Sequence, residues 1–156
     1  MGDRSTERAA QEYLAAKFAE ERQREEEQLN LEAAASLSLV VWKRVTHTVF
    51  AKCREWNAVT NEQTLTCKET AVGDLRIRCC GRSHQLTIHF DSRKRLVIIR
   101  NTARPENEPD TILSIEGYAS DSGRDARLTR NNEPIHLDML IVNHLRVLAG
   151  LSREPG

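Results

Sequence analysis

Apolar side chains are sparse along the first 28 residues and cluster at Tyr13, Leu14 and Phe18; from 19 to 28 the chain reads AEERQREEEQ. Ala, Glu, Gln, Arg and Lys are strong helix formers and no Gly or Pro interrupts them, so a helix is predicted over 5–28. Its charged half has nothing to bury and should project into water, supported by pairs such as Glu20 and Arg24 one turn apart. Residues 29–37 contain no breaker either. The helix restarts at an Asn30 cap or runs through.

Beyond 37 the pattern sharpens. Trp42, Val45, Val49, Cys53 and Trp56 recur at steps of three and four, with Lys43, Arg44, His47 and Arg54 on the other side, which predicts a core helix ending near Asn57. After Thr60 the period changes to two. Strands are predicted at 64–69, 75–80, 85–90, 96–100, 112–118 and 126–130, joined by short Gly, Asp and Ser turns and one ten-residue loop carrying Pro105 and Pro109. Connections this short exclude crossover helices, so at least the first four strands must form an antiparallel meander. Asn132-Glu133-Pro134 reads as a helix start, and Leu137, Ile141, His144, Leu148 and Leu151 make an apolar stripe for a closing helix. The expected fold is α+β: a long N-terminal helical arm (1–36), then a domain (37–151) with a core helix, an antiparallel meander sheet of five to six strands and a C-terminal helix packed on one sheet face. Residues 152–156 are expected to form a disordered tail.

Alternation assigns the faces. Leu75, Ile77 and Cys79 oppose Arg76, Arg78 and Cys80, while Leu86, Ile88 and Phe90 oppose Gln85, Thr87 and His89. One side is core and the other wet. The strand Leu96-Val97-Ile98-Ile99 is apolar toward both, so its outer side needs a cover or lies at an interface.

Composition narrows the function classes. The 156 residues carry 23 Lys+Arg and 23 Asp+Glu, enough for one folded domain and without the net charge of a strongly basic nucleic-acid binder. The balance conceals blocks: residues 1–36 hold five basic and nine acidic groups, residues 63–104 nine and three, residues 105–134 three and seven. No apolar run approaches the roughly 20 residues of a membrane span, and the N-terminus lacks the apolar core of a secretory leader. A cytoplasmic protein is expected. Met1-Gly2 with Thr6 fits a loose myristoylation pattern but has no second anchoring signal and reads as coincidence.

Candidate chemistry is thin. Cys53, Cys67, Cys79 and Cys80 contain no C-x-x-C, and Cys79 and Cys80 point to opposite faces, as do His84 and His89, so no metal site is expected. No glycine-rich phosphate loop or nucleophile elbow is present, and no catalytic residue or cofactor is assigned. What remains is a basic open sheet face of Lys68, Arg76, Arg78, His89 and Arg100, flanked by Arg93, Lys94 and Arg95. It lacks the exposed aromatics of a base-stacking platform. The leading expectation is a non-enzymatic protein-interaction or assembly module, its arm docking on a protein partner or a second copy through Tyr13, Leu14, Phe18 and Leu29. The alternative is a binder of nucleic-acid phosphate or another anionic ligand, with the acidic arm restraining the basic face. A ligand pocket around Trp42, Trp56 and His144 is a third candidate.

Overall fold

The computed structural model describes residues 4–153. The fold is α+β. A single helix, α1 (Arg4–Thr60), is followed by β1 (Leu65–Glu69), β2 (Leu75–Cys79), β3 (Gln85–Asp91), β4 (Leu96–Asn101), β5 (Thr111–Ser120), β6 (Gly123–Arg130), β7 (Glu133–Pro134) and α2 (Leu137–Leu148). The seven strands form one antiparallel sheet in sequence order.

Of the two courses open at Asn30, the chain runs through: arm and core helix are one 57-residue helix. The chain has no Gly or Pro between Gly2 and Gly73, so nothing stops the helix until Asn61, whose left-handed φ of 55° ends it. Asn57 then ties the helix end to β1, its Nδ2 donating to the Leu65 carbonyl and its Oδ1 accepting from the Leu65 N–H, both at 2.8 Å.

Val41, Val45, Val49 and Cys53 of α1 and Ile141, Leu145 and Leu148 of α2 cover the apolar sheet face of Leu65, Leu75, Ile77, Leu86, Ile88, Val97, Ile99, Leu113, Ile115 and Leu128. Trp42 stacks on Phe90 with ring centroids 5.4 Å apart. Both helices lie on the same face. The contact of α1 with the sheet begins before the expected boundary at 36, because Ala33 and Ala34 are buried and α1 crosses β5 at Gly117. A Cβ on Gly117 would fall onto the Asn30 carbonyl oxygen.

One further expectation is corrected. Asn131 and Asn132 do not open a helix: both adopt positive φ, 53° and 66°, and form a two-residue hairpin turn that pairs Glu133 with Arg130 and Pro134 with Thr129. Pro134 is tolerated because β7 is an edge strand. The helix starts instead at Leu137, capped by His136, whose Nδ1 accepts from the Met139 N–H. Residues 152 and 153 of the segment after α2 make contacts: the Ser152 carbonyl accepts from Arg146 Nε, and Arg153 donates to the Glu108 carboxylate. Residues 1–3, including the Met1-Gly2 pair, and 154–156 lie outside the described chain. No helix of the described residues is long and apolar enough to cross a membrane.

Candidate functional site

The arm departs most from an ordinary domain. Every residue from Arg4 to Leu29 is exposed. The first contacts with the domain are made by Glu26 and Asn30, which share the Arg124 guanidinium at 2.8 and 2.7 Å. Residues 4–25 therefore extend beyond the domain for about 33 Å. Tyr13 is 67%, Phe18 56% and Leu14 48% exposed, and with Ala10 they line one side of the helix near its free end. Leu29 is exposed at the arm's base.

The open sheet face carries the basic residues, divided in two. Lys68, Arg76 and Arg78 are exposed and, with Thr66, line a shallow groove of about 370 Å³ over β1 and β2. Arg100 shares the lateral row of Lys68 and Arg76 but is engaged by Asp110 through Nε and Nη2, at 3.2 and 3.1 Å. His89 is taken by Asp74, 2.6 Å from Nδ1. Arg93, Lys94 and Arg95 belong to the β3–β4 turn at the far end of the face, where Asp91 Oδ1 accepts from the Arg93 and Lys94 N–H groups. Those hydrogen bonds, Lys94's foremost, hold the Asp91 carboxyl below its usual range. Between the two groups run Ile98 and Ile112, paired across β4 and β5, with Leu96 beside them. Ile112 is 52% exposed, and neither helix covers it. The apolar outer side expected of β4 is thus present and open.

The acidic arm approaches this face only at its base. It leaves from the helical layer on the opposite side of the sheet, and among the described residues its ion pairs join Arg8 with Glu12 and Glu26 with Arg124. Lys94 and Arg95 come nearest, lining a groove with Glu27 and Leu31 at the arm's base.

Trp42, Trp56 and His144 do not share a pocket. Trp42 is spent on Phe90, and Trp56 borders an apolar groove between α1 and α2 with Val59 and Val142. His144 lies at a third place, on the floor of a polar cleft of about 280 Å³ between α2, the ends of β5 and β6 and the β4–β5 loop. The loop is stitched from within by Arg104. This buried side chain donates through Nε to the Asn101 carbonyl at 3.2 Å, through Nη1 to the Pro109 carbonyl and through Nη2 to Asp110 at 3.0 Å. Glu108, drawn below the ordinary carboxylate range chiefly by its hydrogen bond to Arg153, stands at the rim.

The protonation of His144 follows from its partners. Asn101 Oδ1 accepts from the Ala103 N–H at 3.1 Å and its Nδ2 donates to the His144 carbonyl at 3.0 Å, which fixes the amide's orientation. The same Nδ2 lies 3.4 Å from His144 Nδ1, so Nδ1 is the lone-pair nitrogen and Nε2 carries the hydrogen, facing Thr111 Oγ1 at 3.4 Å. Burial, then the positive charges of Arg104 and Arg153, push the imidazole down to about 4, so it is neutral at pH 7.

Local pattern signalled His144 but not Arg104, Arg130 or Arg153, which come from a loop, a strand end and the segment after α2. No spacing rule links them. The sequence likewise gave no sign that Cys53 of α1 and Cys67 of β1 meet, yet a hydrogen bond between the thiols, together with burial, raises the Cys53 thiol above its ordinary range. Among the described residues no three His, Cys, Asp or Glu side chains gather as a metal site. No protein-family profile, curated protein or solved structure matches the chain.

Proposed function

We propose that this chain is a non-enzymatic assembly module whose arm docks on the open sheet face of a second copy. The observation that carries the reading is the arm itself: about six helical turns with no intramolecular packing, ending in an apolar cluster of Tyr13, Leu14 and Phe18. An isolated helix gains little from propensity alone, so a projecting helix with large apolar side chains is best explained by a partner that buries them. The sheet face offers the complement. Leu96, Ile98 and Ile112 are an apolar strip between two basic groups, while the arm places its apolar cluster beside the Glu-rich stretch 20–27. The apolar cluster near the arm's free end projects away from its own sheet face, so a second copy would supply the match, reciprocally in a two-fold dimer. Such a module belongs in the cytoplasm, a setting that suits four free cysteines.

The experiment is light-scattering mass across a salt series for the full chain, a chain lacking residues 1–25, and Leu14→Glu/Phe18→Glu. Stopping the deletion at 25 spares Glu26, Asn30 and Ala33, which belong to the packed domain. The full chain should have twice the monomer mass at low salt, and both variants should be monomers. A full chain that is monomeric at every salt concentration overturns the reading.

The groove of Thr66, Lys68, Arg76 and Arg78 favours a second reading, contact with a phosphate backbone or another extended polyanion without base recognition. The 26–156 chain should then bind a labelled oligonucleotide at least as tightly as the full chain, with affinity falling steeply as salt rises.

A further inference from the structure

The cleft over His144 is built differently from the two surfaces above, and it concentrates hydrogen-bond donors. Arg104 has five side-chain N–H groups and, among the described residues, three acceptors, Asn101 O, Pro109 O and Asp110, which leaves one hydrogen on each terminal nitrogen at the cleft wall. Thr111 is 4% exposed, and among the described residues its hydroxyl has one partner, the His144 ring. Because Nε2 donates in that contact, the hydroxyl's own hydrogen is free for an acceptor in the cleft. Arg130, at the end of β6, faces the same space with no side-chain ion pair or hydrogen bond among the described residues. Arg153 completes the ring from the other side, its guanidinium on Glu108.

The charges are unbalanced. Three guanidiniums line the cleft against the single carboxylate of Glu108; Asp110 stands behind Arg104 and is shared with Arg100. The neutral ring of His144 adds no positive charge but aligns Thr111 as a donor. In a partly enclosed site, convergent guanidinium and hydroxyl donors favour a compact anion with several acceptor oxygens, since each can form a charge-assisted hydrogen bond. A volume of about 280 Å³ suits a phosphate or carboxylate group on a small molecule and excludes a nucleic-acid strand or a peptide helix.

We propose that this cleft is a binding site for a small oxyanion, a phosphorylated or carboxylated metabolite, held by Arg130, Arg104 and Thr111 with Arg153 exchanging Glu108 for the ligand. The Glu108 contact is the closed state of the site, and its carboxylate stands in for the missing anion. It also selects: a ligand that keeps Glu108 nearby must bring a hydroxyl or amine donor beside its anionic group. This site is independent of the arm and of the open sheet face, which lies on the other side of the sheet.

The test is isothermal titration and thermal unfolding of the full chain with inorganic phosphate and, separately, malonate, each against chloride at equal ionic strength. Binding of either anion with a raised Tm is expected, and which one binds names the phosphate or the carboxylate source. Arg130→Gln should weaken that binding roughly tenfold or more, the loss of a charge-assisted hydrogen bond. Glu108→Gln, which removes the internal competitor, should strengthen it. Arg76→Gln/Arg78→Gln should leave it unchanged. Three results overturn the proposal: no difference from chloride with either anion, binding that survives Arg130→Gln intact, or binding abolished by the Arg76/Arg78 pair. Because Arg130 is exposed and has no side-chain partner among the described residues, its substitution tests the site without threatening the fold.

Discussion

At the scale of single residues, the buried imidazole of His144 sets an acid limit on stability. Its ordinary value of 6.5 falls to about 4 in the folded chain, mainly through burial and secondarily through Arg104. The unfolded chain therefore takes up a proton near pH 6.5 that the native chain refuses, so stability rises with pH wherever the unfolded state holds more protons. The contribution is complete above pH 6.5 and lost progressively as pH falls toward 4, by about 3 kcal/mol in all. Urea midpoints measured between pH 7 and 4 should show this fall, and His144→Gln should flatten it. An unchanged slope in the variant would assign the acid sensitivity to carboxylates instead. Thr129 presents the opposite case, a buried hydroxyl with no hydrogen-bond partner among the described residues. Removing an unsatisfied polar group without changing side-chain shape relieves its desolvation penalty. Thr129→Val should raise the urea midpoint by the equivalent of about 1 kcal/mol, and a lowered midpoint would mean that the hydroxyl is satisfied in solution.

At the scale of elements, the position where α1 crosses the sheet depends on a missing side chain. Gly117 of β5 lies against the Asn30 carbonyl and the Ala33 methyl, and both obstacles are fixed parts of a packed helix rather than the ends of flexible side chains. Gly117→Ala must lift α1 from β5, with an overpacking cost of about 1–3 kcal/mol. Amide exchange should then quicken around 30–34 more than around 45–53, where the helix is held independently by Val45, Val49 and Cys53. Uniform loss of protection would show that α1 moves as one body. What was legible in the sequence divides at the same level. The six main strands and both helical stripes were readable because each buries one face, and a period of two or 3.6 records that burial directly. The continuity of α1 was not, since a solvated helix leaves no pattern beyond the absence of breakers. Asn132-Glu133-Pro134 suggests a helix start but forms a turn and edge strand, because asparagine caps helices and also accepts left-handed turns, and only the pairing of β6 with β7 decides between the two. The cleft was illegible for another reason: Arg104, Arg130 and Arg153 converge through topology, and residues 23 or more apart share no local period.

At the scale of the whole molecule, one continuous helix joins the helical layer on the sheet to a projecting arm with an unsupported end. Glu26 and Asn30 anchor the arm on Arg124, so helix formation beyond them needs no fresh nucleus and propagates outward from a fixed base. Propagation alone, however, leaves each turn only marginally stable. Protection should decline from residue 25 toward residue 4 in an isolated molecule, because fraying starts at the free end and nothing is packed against Tyr13, Leu14 or Phe18. Docking on a second copy changes this profile selectively. The turns bearing those three side chains would become better protected than the Glu-rich turns nearer the base, inverting the gradient. The inversion must grow with protein concentration, while the Glu-rich contacts to the basic face make it shrink as salt rises. Hydrogen exchange of the full chain at a series of dilutions reads both dependences at once. An inverted gradient that persists unchanged on dilution would place the contact within one molecule, and a monotonic gradient at every concentration would leave the arm without a second copy to dock on.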